Sequence, residues 1–259
     1  MIWIGSLVLL IKTFINNMLE KIIFFFTSYL GKLHEKKIAK KLISLDFKPK
    51  IILDVGAHIG EATLLFLKIF NSIKICYCFE PQKKIFNILK KKFKNNSKVF
   101  CVNKAIYDKI VKKDFNVLYH QRSSTLEDIN TNSLYYKIKS LILFNKVRNI
   151  VYKKEKLNCI TLDSFIKKRK IIDILKIDVE GSELNVLKGC KKNIKNVKVI
   201  LIEILHHDSI KNYSKIDIFR FLKNNGFRLY STLKFPFYGF EDRIYINNKF
   251  FSQNKIKLF

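Results

Sequence analysis

The sequence predicts an α/β fold: one mostly parallel sheet covered by helices on both faces. Three observations predict it. From about residue 46 onward, short apolar runs rich in β-branched residues alternate with helical patterns. Two of those runs, KIILDV and IIDILKIDV, carry acids at their ends with glycine just beyond. The 259 residues are 48% apolar, enough to fill one large core. No internal repeat and no Pro/Ser-rich linker interrupts the chain, so residues 46–259 read as one domain behind an N-terminal extension, residues 1–45.

The extension comes first in order. Its opening 30 residues are strongly apolar but are broken by Lys12, Glu20 and Lys21, so no run is long enough for a spanning helix. No basic n-region and no A-x-A site mark a secretory signal. An interfacial helix or hairpin fits, with Lys32, Lys36, Lys37, Lys40 and Lys41 close behind to meet anionic lipid. A helix packed on its own domain or on a homodimer partner fits equally. The expected location is cytoplasmic, with peripheral membrane contact through residues 1–30 as the open alternative.

The domain then reads KIILDV (strand), EATLLFLKIF (helix), IKICYCFE (strand), QKKIFNILKKKF (helix) and KVFCVNKAI (third strand). Residues 107–160 are less regular. IIDILKIDV, SELNVLKGC and VKVILIEIL follow as strand, helix, strand, and a helix ends near Gly226. FRLYSTL and DRIYIN close the domain as an antiparallel pair.

A formal charge of +29 suggests nucleic acid or anionic membrane. The lysines, however, are scattered over the whole chain in company with Ile, Asn and Phe, the pattern of A/T-rich codons. The charge therefore favours an acidic or phosphate-bearing partner without naming one. Five cysteines, none at zinc-ligand spacing, read as buried free thiols.

The stretch ILDVGAHIGEATLLF carries the first chemistry. Strand, D-x-G-x-x-x-G, helix is a nucleotide-handling arrangement: Gly56 and Gly60 permit a sharp turn, and the helix beyond offers free N–H groups. Glu80 ends the next strand, 20 residues after Gly60, where an acid can take both hydroxyls of a ribose. The dinucleotide fingerprint is absent because His58 holds the place of its middle glycine. Asp54 would sit badly beside a pyrophosphate and well beside a cationic ligand. S-adenosylmethionine has an ammonium, a sulfonium and a ribose but no phosphate.

DILKIDVEGSELNVLKG is the most specific stretch. A buried strand ends in Asp178 and Glu180, then Gly181, with Ser182 placed to cap the next helix. Lys176, inside that strand, is either paired with an acid or aimed into the site. Carboxylates at strand C-termini sit at the ligand crevice of an open α/β sheet.

In order, ILDVGAHIGEATLLF, CFEP, VNKAIYD, RSSTL, ITLDSF, LKIDVEGSELNVLKG and VILIEILHH resemble the FkbM-type S-adenosylmethionine-dependent methyltransferases over roughly residues 48–207. The resemblance implies the class I, Rossmann-like methyltransferase sheet with an antiparallel last strand. It also implies methyl transfer, usually to a hydroxyl of a sugar or a polyketide-like product. Carried onto this chain, it has Asp54, Gly56, His58 and Gly60 shape the cofactor turn. Glu80 would hold the ribose, and Asn103 and Ala105 would border the adenine. Ser123 and Ser124 match the family's serine-bearing loop near the acceptor, and Asp178 and Glu180 would face the methyl group. His58 stands where Asn is common.

A sugar hydroxyl is a weak nucleophile, so a general base is expected among Asp178, Glu180, Glu203, His206 and His207. Asp178, Glu180 and His206 are the preferred catalytic set, with Glu203 at the acceptor; His207 reads as a surface residue. Asp178 and Glu203 could also hold a divalent ion, as in metal-dependent catechol-type enzymes, but two carboxylates are a thin warrant and no metal is expected. Nucleic acid is not the expected acceptor, because D-V-E-G stands where amine methyltransferases resemble one another in N/D-P-P-Y/F. Ribose methylation of RNA stays open as the alternative, as does a non-catalytic, membrane-attached cofactor-binding protein.

Overall fold

A computed structural model describes residues 25–26, 28–118, 123–142, 151–166, 170–236 and 239–251, with side chains of 139–142 left aside. Seven strands form the main sheet in the order β3-β2-β1-β7-β8-β10-β9. They are β1 (Ile51–Val55), β2 (Ile75–Phe79), β3 (Val99–Val102), β7 (Ile172–Ile177), β8 (Val197–Leu205), β9 (Phe227–Lys234) and β10 (Phe240–Asn247). The first five pair in parallel, and β10 runs antiparallel to both β8 and β9. This is the class I methyltransferase arrangement that the motif order implies.

Alternation along each strand builds two cores. Ile52, Cys76, Ile174 and Val199 face one side, where they meet Phe66 of α2 (Glu61–Ile69) and Leu89 of α3 (Lys83–Lys92). Leu53, Leu175, Ile177 and Ile200 face the other, against α5 (Leu162–Phe165), α6 (Glu183–Lys188) and α7 (Lys215–Asn224). Both faces of β7 are fully buried, which is why IDILKI shows no polar alternation.

Two features depart from the sequence reading. KVFCVNKAI is two strands. The chain leaves the main sheet after β3, and β4 (Ala105–Ile106) joins β6 (Val151–Ile160) and β5 (Val111–Leu118) in a separate three-stranded sheet. Asn103 makes the break by donating from Nδ2 to the carbonyls of Glu80 and Pro81, each at 2.9 Å.

The second departure is at the N-terminus. A helix over residues 28–43, α1, places Ile38 and Leu42 in the first core, and Leu45 follows them. The described part of the extension is thus built into the domain. Residues 1–24, which carry most of the membrane expectation, lie outside the described residues. Among the described residues, no helix is long and apolar enough to cross a membrane. All five cysteines are free; four are buried as expected, and Cys101 is half-buried.

Candidate active site

The site lies at the C-terminal ends of β1, β2, β7 and β8. The turn after β1 runs through left-handed backbone at Gly56 (φ 77°), His58 (φ 48°) and Gly60 (φ 82°). A Cβ on Gly56 would stand 1.8 Å from the carbonyl oxygen of Asp178, so the two turns touch backbone to backbone there. At Gly60, a Cβ would strike the Phe93 ring, so this glycine serves the packing of α2 on α3.

Asp54 sits beneath the turn and is fully buried. Its carboxylate accepts from Thr63 Oγ1 at 2.7 Å and lies 3.3 Å from Lys176 Nζ. Lys176 also reaches Asp178 at 3.2 Å and donates to the Gly56 carbonyl at 2.8 Å. Burial alone would lower the lysine pKa; Asp178 and Asp54 outweigh it and hold the ammonium charged. Lys176 thus pairs with two acids and also lines the cavity, so both alternatives read from the sequence are realised.

Glu80 is 3% exposed. It accepts the backbone N–H of His58 at 3.0 Å and of Gln82 at 2.8 Å, one on each oxygen. Burial pushes its carboxyl up to about 7 against those bonds. Each oxygen keeps a second lone pair, as a diol would require.

Asp178, Glu180 and Glu203 bring carboxylate oxygens within 4.8 Å of one another. Burial raises the Glu203 carboxyl well above the ordinary range, and the charges of Asp178 and Glu180 raise it further. Asp178 goes the other way: Lys176 outweighs burial and holds it low, and Glu203 hydrogen-bonds to it. The two carboxyls titrate as a coupled pair, with Glu203 pushed up and Asp178 held down. Among the described residues this is the one cluster with a donor set for a divalent ion. The sequence reading has two of its three acids. Lys176 supplies one positive charge to the cluster, at Asp178, and shares it with Asp54.

The Glu180 turn is strained. Glu180 has φ 53° and Gly181 φ 107°. Its hidden support is Glu183, fully buried, which accepts N–H groups from Val179 at 3.3 Å and Gly181 at 3.0 Å. Ser182 makes no capping bond. It donates instead to Glu127 at 2.6 Å, which also accepts from Asn185 at 3.0 Å. Sequence reasoning missed Glu127, which no local pattern ties to residues 55 or more positions away.

His206 is an exposed residue of the cavity wall. Lys215 Nζ donates to its Nδ1 at 3.2 Å, which leaves Nε2–H to face Glu241 at 3.0 Å. Both ring nitrogens are engaged, and neither partner was visible from sequence spacing. His207 stacks on Tyr135 with ring centroids 3.8 Å apart and pairs with Ser209 at 2.6 Å.

A cavity of 3010 Å³ joins these groups. Gly56, His58, Glu80 and Ala105 line its cofactor end; Ser123, Ser124, Asp178, Glu180, Glu203 and His206 line the rest. Asp54, Gly60 and Asn103 stand behind the wall and shape it. Ser124 is buried and accepts the Leu118 N–H at 3.1 Å, so it braces its loop.

Residues 54–229, more than half of the chain, match the model of the methyltransferase FkbM domain. The chain belongs to the FkbM methyltransferase family. The sequence resemblance to that family implies S-adenosylmethionine as the cofactor. The residues present fit that cofactor: Gly56, His58 and Glu80 line the cavity together, and each Glu80 oxygen accepts only one N–H.

Among curated proteins, the chain is similar to the ribosomal RNA small subunit methyltransferase A of Mesomycoplasma hyopneumoniae (strain 232), with 33% identity over 118 residues. That stretch spans 45% of this chain and 40% of that protein. Among solved structures, the FkbM methyltransferase of Methylobacillus flagellatus KT aligns with a TM-score of 0.49 at 13% identity, covering 77% of this chain and 43% of that one. Magnesium protoporphyrin IX methyltransferase of Synechocystis PCC 6803, solved with bound SAM, aligns with a TM-score of 0.44 at 9% identity, covering 83% and 78%.

Proposed function

We propose that this FkbM-family chain is an O-methyltransferase acting on a hydroxyl of a sugar or glycan, with Glu203 as its general base. The observation that carries the reading is the acid row at the ends of β7 and β8. Asp178, Glu180 and Glu203 stand together there, and Glu203 holds a proton more tightly than an ordinary carboxylate.

The bound donor supplies an electrophilic methyl group on its sulfonium. The chain's own residues must orient the acceptor and take its proton. In ionised form Glu203 is the strongest base of the row and accepts the hydroxyl proton. Asp178, kept charged by Lys176, positions the attacking oxygen. Glu180, projected by its strained turn, forms the row's outer member. His206, fixed between Lys215 and Glu241, shapes the wall.

The similarity to a ribosomal RNA methyltransferase favours RNA as a second acceptor. One feature weighs against methylation of its bases: D-V-E-G stands where amine methyltransferases resemble one another in N/D-P-P-Y/F, which leaves ribose methylation open. The test is label transfer from tritiated S-adenosylmethionine to oligosaccharide and RNA pools, with Glu203→Gln as the control. Label in oligosaccharide, lost in the variant, is expected. Label in RNA alone overturns the reading.

A further inference from the structure

The cavity is larger than its chemistry so far requires. Small-molecule sites occupy roughly 300–1,000 Å³. A cavity of 3010 Å³ has room for the cofactor and for an acceptor much larger than one sugar. Its surplus is apolar. Phe25 and Phe26 ahead of α1, Leu64 of α2, and Leu134 and Ile138 of α4 (Leu134–Ile142) all line it. These side chains are exposed, Leu134 at 65%, Ile138 at 49% and Leu64 at 44%. Five exposed apolar side chains lining one cavity are unfavourable in water and mark a binding surface.

The wall is continuous with the acid row, because the same cavity reaches Asp178 and Glu203. Lysines stand along it: Lys32, Lys36 and Lys40 on α1 and Lys68 on α2. A ligand matching these features end to end has a hydroxyl-bearing head, an anionic group and an aliphatic tail. We propose that the wall between α1, α2 and α4 is an acceptor subsite that takes the aliphatic tail of a phosphate-bearing, lipid-linked hydroxyl acceptor.

The proposal rests on the hydroxyl-acceptor reading but is tested without it, by binding alone. The probe is dodecyl phosphate below its micelle concentration, titrated calorimetrically into the full chain saturated with S-adenosylmethionine. Butyl phosphate and inorganic phosphate are the controls. One-to-one binding of dodecyl phosphate is expected, with butyl phosphate weaker by at least about a hundredfold, as eight fewer buried methylenes imply. Leu64→Glu and Ile138→Glu, both at exposed positions, should each weaken it at least tenfold, an expectation of about that order for charge on an apolar wall. Circular dichroism confirms that each variant folds.

Absence of dodecyl phosphate binding overturns the proposal, as does binding that ignores both variants or displaces S-adenosylmethionine. Retention on phosphatidylglycerol vesicles without binding of the monomeric probe assigns the wall to a membrane surface and also overturns it. Label found only in RNA defeats the glycan reading, whereas failure of the dodecyl phosphate titration defeats the tail subsite, so the two failures are told apart.

Discussion

Lys176 and Asp178 lie two residues apart on one chain segment, with Nζ 3.2 Å from Oδ2, and the same ammonium lies 3.3 Å from Asp54 across the sheet. One cation thus ties the floor of the cofactor turn to the start of the acid row. Removing it leaves Asp54, fully buried, without a charge partner. Lys176→Met should therefore destabilise the domain by about 3–5 kcal/mol, the range for breaking a buried pair. Urea unfolding measures this. An unchanged midpoint would mean that the pair does not hold the two turns together.

At Gly56 the backbones of the two turns meet. Gly56→Ala would place a methyl group on the Asp178 carbonyl and force an L-residue to φ 77°. It should destabilise by more than about 1 kcal/mol and abolish cofactor binding by calorimetry. Glu80→Ala should leave the fold and weaken S-adenosylmethionine by about 1–3 kcal/mol, the scale for losing charged hydrogen bonds. Equal binding by that variant and the wild type would remove Glu80 from the ribose.

Glu183 predicts a pH dependence of stability. Burial raises its folded-state pKa from 4.5 to about 7, against bonds from Gly181 and Val179. Below pH ~4.5 both states hold the proton and nothing is lost. As pH rises toward 7, the unfolded chain releases its proton while the folded one keeps it, so stability falls across that window. Glu183→Gln, which retains an acceptor for the two N–H groups, should flatten this decline. Glu80 contributes in the same direction, having risen to about 7 as well. Chemical denaturation of wild type and variant at a series of pH values makes the comparison, and parallel profiles would contradict it.

Methyl transfer should carry its own pH signature. The Glu203 carboxyl is raised above the ordinary range and must be ionised to take a proton. The rate on a labelled acceptor pool should therefore fall as pH drops through that raised value. Glu203→Gln should remove activity at every pH while leaving cofactor affinity unchanged. Retained activity would return the role of base to Asp178 or Glu180.

How much of this is legible in the sequence follows from where the determinants lie. The cofactor turn and the acid row announce themselves because apolar runs stop at Asp54 and Asp178 with glycine close behind. The succession of strands and helices along the chain follows from the same runs, while the sheet arrangement is implied only by the family resemblance. The small sheet follows from neither, because β5 and β6 are lysine-rich and half-exposed, and their pairing carries no local signal. Histidine at position 206 looks like a free base in sequence. Lys215 and Glu241, brought from α7 and β10, occupy it. Glu183 reads as an ordinary first-turn acid until its burial is seen.

The helix α1 supplies the last prediction. Leu42 is fully buried in the first core beside Phe66 and Ile52. His34, from the same helix, donates from Nε2 to Asp242 of β10 at 2.7 Å, and Phe235 and Phe240 meet its ring edge-on. Asp242 in turn pairs with Glu203 in the β10–β8 register. A helix held at both a core leucine and a buried polar contact is part of the cooperative unit and not a tether. Leu42→Ala should lower global stability by about 2–5 kcal/mol, the range for deleting a buried leucine. His34→Ala should destabilise as well, because it leaves the Asp242 carboxylate without its donor, at about 1–3 kcal/mol. Single, coincident unfolding transitions by fluorescence and circular dichroism are expected for both variants. An early transition confined to helical signal, with the remaining unfolding unchanged, would show that α1 folds apart from the sheet.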